Sequence, residues 1–138
     1  MIRYHIFDHT ADLGLEIYGA DAGELFSNAA YAVSDTITDI HAVRMKERRS
    51  ISVEGSDWDD LIVNFLREIL YLVNGEGLLL RECSIAEIDR DHVLGDVHGE
   101  FFDPSRHHIN LEIKAVTYHQ ASVSKTREGW KGRVIFDV

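Results

Sequence analysis

The residues best suited to chemistry in this chain lie close to its start, in the run Asp8-His9-Thr10-Ala11-Asp12. It stands between two strand-like stretches. Residues 2–7 are rich in β-formers, and beyond the run Leu13, Leu15 and Ile17 alternate with Gly14, Glu16 and Tyr18, the period of a half-buried strand. The five residues are therefore a strand connection, and a strand that starts at once sends Asp12 to the face opposite Leu13, Leu15 and Ile17. A carboxylate so placed is a hard-oxygen metal ligand, with Asp8 and His9 as helpers. The same short polar residues also make turns, and Asp8 and Thr10 serve equally well as local backbone caps.

The second candidate group closes the sequence. Residues 133–138, Arg-Val-Ile-Phe-Asp-Val, read as a last strand in which Asp137 is penultimate and Val138 carries the α-carboxylate. Neighbouring carboxylates repel one another, and an oxygen-seeking cation such as calcium, magnesium or manganese relieves the repulsion. Hydration at a strand end, or pairing with Arg133 or Lys131, would relieve it as well. A third group is residues 112–119, where Glu112 and Lys114 share one face of an extended segment. Lys114 there can balance the charge of a metal site or meet an anion such as phosphate, and His119 offers imidazole nitrogen.

Those groups need elements to hold them. Asp21 followed by Glu24 starts a helix expected over residues 22–35, with Leu25, Phe26, Ala29, Ala30 and Val33 as its apolar stripe. Residues 38–47 form a connector, in which His41 reads as a solvated loop residue, and residues 49–54 form a strand. Ser56 with Asp59 caps a second helix, whose Leu61, Ile62, Phe65, Leu66, Ile69, Leu70 and Val73 lie on one face, and Asn74-Gly75-Glu76-Gly77 stops it. The rest is β in character, over residues 78–89, 92–102, 109–126 and 130–138, with a bulge or bend expected at residues 116–119. Short turns between successive strands imply antiparallel pairing. The expectation is one α+β domain, a mostly antiparallel β-sheet with two principal helices packed on it. Pattern does not give the strand order.

Composition excludes several classes. With 138 residues there is room for one core, and 24 acidic against 14 basic residues give a net charge of −10, the opposite of a broad duplex-binding surface. The single cysteine, Cys83, rules out an intramolecular disulfide and reads as a small core residue. His92, His98, His107 and His108 show no zinc spacing. No Walker loop, Gly-x-Gly-x-x-Gly fingerprint or Gly-x-Ser-x-Gly elbow is present. No signal peptide or membrane-length apolar run is seen, so a cytoplasmic protein is expected.

Taken together, Asp8-His9-Thr10-Ala11-Asp12, the run Glu112-Ile113-Lys114-Ala115-Val116-Thr117-Tyr118-His119 and the closing Val134-Ile135-Phe136-Asp137-Val138 resemble the archease family. The helical stretch at residues 58–72 and the Gly99-Glu100 step fit the same pattern, so the resemblance spans essentially the whole chain. It implies an α+β fold and a non-enzymatic activator of the RtcB-type RNA ligase, promoting that enzyme's guanylylation and repeated turnover in tRNA splicing and RNA repair. In that picture GTP and RNA ends are handled by the ligase. The resemblance carries the family's functional acids onto Asp12 and Asp137, with Val138 completing a calcium-compatible metal site, and its late basic residue onto Lys114. Two other readings are a chaperone-like modulator of a tRNA methyltransferase or another RNA-modifying enzyme, and a metal-dependent hydrolase using Asp12 and Asp137 with His9 or His119 as base.

Overall fold

A computed structural model describes residues 2–9 and 11–138, without the side chains of Asp8 and His9. The strand β1 (Tyr4–His9) turns into β2 (Asp12–Gly19), followed by α1 (Ala22–Ile37), a single 3-10 turn (Ile40–Ala42), β3 (Glu47–Glu54) and α2 (Trp58–Glu76). Then come β4 (Leu78–Asp89), β5 (His92–Phe101), β6 (Ala115–Thr126) and β7 (Gly129–Asp137). Among the described residues the strands form two antiparallel sheets, one ordered β1-β2-β7-β6 and the other β3-β5-β4. The α+β class is as expected; the division into two sheets is what the turn pattern did not disclose.

Each helix touches both sheets, α1 packing on β2 and β4 and α2 on β6 and β3. One apolar cluster results. Leu15, Ile17, Phe26, Phe65, Leu66, Val97 and Phe136, from both sheets and both helices, are fully buried in it. Phe26 meets Phe65 edge to face with ring centres 5.1 Å apart, and Trp58 meets Trp130 at 5.0 Å.

Local chemistry sets the element ends. Asp21 caps α1 by accepting from the Glu24 N–H at 2.8 Å, and the helix runs two residues past the expected end, to Ile37, because Ile37 is buried. The cap of α2 is Asp57, not Ser56: its carboxylate accepts from the Asp60 N–H at 2.8 Å. Asp59 reaches across instead to the Val123 N–H of β6 at 2.8 Å. Ser56 is engaged the other way, its N–H and hydroxyl donating to Asp60 Oδ2 at 2.9 and 3.2 Å, which leaves the capping position to Asp57. Gly77 ends α2 with φ of 73°, a left-handed conformation in which a Cβ is strained. At Gly99 a Cβ would run into the Leu79 carbonyl oxygen of the adjoining strand.

The expected strand over residues 109–126 is corrected. Only Ala115–Thr126 is strand; residues 102–114 are an irregular crossing from the second sheet to the first, tied to the end of α1 by an isolated bridge between its C-cap Thr38 and Ile109 and by the Asn110 N–H donating to the Ile37 carbonyl at 2.7 Å. Beyond that single bridge residues 109–113 have no neighbouring strand to pair with, so their alternation packs Ile113 into the core without a ladder. The bulge does occur, between Thr117 and Ser122, with Gln120 at φ of 57°. No helix among the described residues is long and apolar enough to cross a membrane.

Phe65 is fully buried between its aromatic neighbour and both sheets. Phe65→Ala is expected to lower unfolding free energy by about 3–5 kcal/mol. Urea denaturation with an unchanged m-value checks it.

Candidate functional site

The pairing of β2 with β7 decides where the sequence-nominated acids go. Leu13 stands opposite Phe136, Gly14 opposite Ile135 and Leu15 opposite Val134. One step outward the same register sets Asp12 beside Asp137. Directly opposed residues project to the same face of a sheet. Leu13, Phe136 and Val116 form a buried row, so Asp12 and Asp137 point to the other face, Asp12 half-buried and Asp137 exposed.

On the far side of β7, Ala115 pairs with Asp137, and the Lys114 N–H donates to the Asp137 carbonyl at 2.8 Å. The start of β2, the end of β7 and the start of β6 thus share one end of the sheet. Asp12, Asp137, Val138 and Lys114 are brought together there, with the Lys114 side chain and Val138 exposed. His119 lies farther along β6 within the bulge, also exposed. The side chains of Asp8 and His9, and the whole of Thr10, fall outside the described residues. The backbone of β1 nevertheless sets His9 opposite Asp12. Ala11, within the connecting turn, has φ of 61°, a conformation that costs a non-glycine residue about 1 kcal/mol.

Whether Arg133 or Lys131 neutralises the terminal carboxylates is answered by their contacts with Glu16. Arg133 Nη1 lies 3.2 Å and Lys131 Nζ 3.5 Å from Glu16 Oε2, while His5 Nε2 and the Tyr18 hydroxyl approach Oε1 at 3.3 and 3.0 Å. Burial works to raise the Glu16 pKa, but the Tyr18 hydroxyl and Lys131 prevail and hold it below the usual carboxylate range. Both basic side chains of β7 are therefore engaged in the middle of the sheet. The donor set at its end, carboxylates without a thiolate, suits a hard cation that takes oxygen ligands.

Two further clusters were not singled out from sequence. Glu100, buried, accepts from Arg106 Nη1 at 2.6 Å, from the Arg44 N–H at 3.0 Å and from His107 Nε2 at 2.9 Å. Because the Asp103 N–H donates to His107 Nδ1 at 2.9 Å, the ring proton resides on Nε2. Arg106 in particular holds the Glu100 carboxyl down at about 2. This network fastens the start of the 102–114 crossing. Its signal was a lone glutamate next to apolar residues, invisible until the turn at Asp103 folds His107 back onto it.

The other cluster is at the β4–β5 hairpin, where Asp89, Asp91 and His92 have ligand-type atoms within 4.8 Å of one another. His92 reaches Asp91 through Nδ1 at 3.1 Å and Glu87 through Nε2 at 3.2 Å. Both ring nitrogens are thus occupied by carboxylates, as in a charge-paired turn. Cys83, buried, has its thiol pushed up to about 12, chiefly by desolvation, which makes it a core residue rather than a nucleophile.

Glu100 ionises more readily in the folded chain than its ordinary 4.5, so its contribution to stability is present above that value and is lost as pH falls toward about 2. Glu100→Gln is expected to reduce stability at neutral pH and to flatten the acid limb of the stability curve. Thermal midpoints measured from neutral pH down to acid check both effects.

Comparison with known proteins gives a consistent result. The model of the archease protein family matches residues 4–138. A Pyrococcus abyssi protein archease is 36% identical over the full length of both chains, and that of Methanosarcina barkeri is 34% identical over 99% of this chain and 96% of its own. The solution structure of protein 1598 from Methanobacterium thermoautotrophicum superposes with a TM-score of 0.81 at 30% identity, covering 99% of each chain. An archease and possible chaperone from Thermotoga maritima, at 19% identity and a TM-score of 0.63 over 96% of this chain and 94% of its own, shares the fold.

Proposed function

The chain belongs to the archease family, and from that membership we propose that it activates an RtcB-type RNA ligase through the acidic end of its first sheet. The observation that carries the reading is the β2–β7 register, which sets Asp12 against Asp137 beside Lys114. In this proposal Asp12, Asp137 and the α-carboxylate of Val138 hold one divalent cation, calcium first and magnesium or manganese as alternatives. The cation supplies positive charge and an oxygen-seeking coordination position at an otherwise negative surface. No nucleotide or RNA chemistry is assigned to this chain, which acts as a protein cofactor in the cytoplasm while the ligase holds GTP and the RNA ends.

The chain's own residues do the positioning. Asp12 and Asp137 are carried on paired strands, so their separation is fixed by the ladder rather than by a loop. Lys114, tied through its backbone to Asp137, is held next to them as a mobile cation that meets an acidic or phosphate group on the partner. Arg133 and Lys131, the basic side chains of β7, are drawn to Glu16 in the middle of the sheet.

Asp12→Ala and Asp137→Ala are each expected to abolish stimulation of the ligase, assayed by counting turnovers on cleaved RNA with GTP and substoichiometric activator. Each should weaken calcium binding at least about tenfold while leaving the fold intact. A peptide extension fused after Val138, which converts its carboxylate into an amide, should weaken calcium too. Normal turnover with both alanine variants would reject the proposal, and unchanged calcium affinity in the fusion would remove Val138 from the site.

A second reading is favoured by one observation. Phe101, Phe102 and Ile109 are 46%, 42% and 39% exposed, and the last two border an apolar groove of about 500 Å³ that also includes Leu111. Such a surface suits a chaperone-like modulator of a tRNA methyltransferase or another RNA-modifying enzyme. On that reading Phe102→Ser halves or better the suppression of client aggregation, read by light scattering, and leaves calcium binding as it was.

A further inference from the structure

Far along the fold from the acidic end, a groove of about 590 Å³ lies between the polar side of α1 and β4, the edge strand of the second sheet. Its volume falls within the range of small-molecule sites. Two arginines line it, Arg3 from the segment before β1 and Arg81 from β4. Neither guanidinium forms an ion pair with a described carboxylate; of the ten arginines Arg48, Arg49, Arg106 and Arg133 do, so Arg3 and Arg81 are among those with their charge uncommitted.

Both arginines are positioned by specific features. The register of β4 against β5 slips between Leu80 and Glu82, so Arg81 is the extra residue of a bulge, a device that re-aims a side chain out of the regular alternation. The Arg3 guanidinium lies 4.1 Å from the ring centre of Tyr31, stacked on an α1 side chain. Arg3 itself is exposed, so one face of its planar group rests on the ring while the other is open to a second planar partner. Ser27, one helical turn before Tyr31, and Ser84 of β4 add hydroxyls to the same lining. A Glu82 carboxylate shares the groove and disfavours several negative charges crowded at one point, as in a triphosphate.

We infer that this groove binds a nucleoside monophosphate, with the phosphate at Arg81 and the Ser84 hydroxyl and the base stacked on the open face of Arg3. A guanidinium fork matches phosphate oxygens in pairs, and a planar cation supported by an aromatic ring is a stacking platform for a base. The acidic surface elsewhere repels anions, so any phosphate affinity is local to this groove. The phosphate belongs either to a free mononucleotide or to the end of an oligonucleotide, which offers the same chemistry.

The test uses the full chain and isothermal titration with adenosine monophosphate, adenosine triphosphate, adenosine, inorganic phosphate, an acidic peptide and a 5′-phosphorylated oligonucleotide. The monophosphate is expected to bind more tightly than adenosine, phosphate or adenosine triphosphate. Arg81→Ala should weaken it at least about tenfold, Arg81→Lys by less, and Arg3→Ala should remove the advantage of the nucleotide over phosphate alone. Thermal midpoints and calcium affinity should stay at their wild-type values in all three. Tighter binding of the oligonucleotide, with the same sensitivity to Arg81, supports the site and assigns the phosphate to a nucleic-acid end. No binding of the monophosphate at millimolar concentration, binding unchanged by Arg81→Ala and Arg3→Ala, or equal binding of an acidic peptide would each overturn the inference.

Discussion

The pairing of β2 with β7 is the constraint on which the rest of the molecule depends. It joins residues near the two ends of the sequence in adjacent strands, and every rung that buries Leu13, Leu15 or Ile17 against Phe136, Val134 or Gly132 also fixes what stands on the other face. A slip of one residue would put the polar set in the core and the apolar set in water, at a cost of about 1.5–3 kcal/mol for each large side chain so exposed. The register is therefore determined by the core, and the carboxylates inherit their positions from it. The geometry of this edge is a by-product of packing.

The charges on the outer face divide the same sheet into separate districts. Around Glu16 the ion pairs are internally balanced, with Arg133, Lys131 and His5 drawn to one carboxylate. At the sheet end Asp12 and Asp137 share a face instead, with Lys114 arriving just before β6. The second sheet has its own closed account in Glu100, Arg106 and His107, which pins the crossing at residues 102–114 that must span the two sheets. Fixing that crossing is what delivers Lys114 to the first sheet at the right rung.

Much of this was legible in the sequence because it is local. Helix stripes, the Asp21 cap, the Gly77 stop, the β4 bounds and the bulge after Val116 all follow from spacing and side-chain type. Asp12 and Asp137 could be nominated from residue type, element ends and family resemblance, but their adjacency depends on strand order, which alternation does not encode. Three features were misread or missed for related reasons. Residues 109–113 alternate like a strand yet have no ladder to join; Asp57 displaced Ser56 as a cap; and the Glu100–His107 contact requires a turn whose closure cannot be inferred from composition.

The position of β7 in the middle of its sheet has a temporal meaning. During synthesis β1 and β2 leave the ribosome well before the strand that separates β2 from β6, so the β2–β7 contacts of this sheet are remote in sequence and form late. A nascent or shortened chain would display helices and the β3-β5-β4 sheet but have no paired acids to offer. The pairing of Asp12 with Asp137 is in this way a readout of long-range closure: it exists only where β2 and β7, far apart in sequence, have already zipped together.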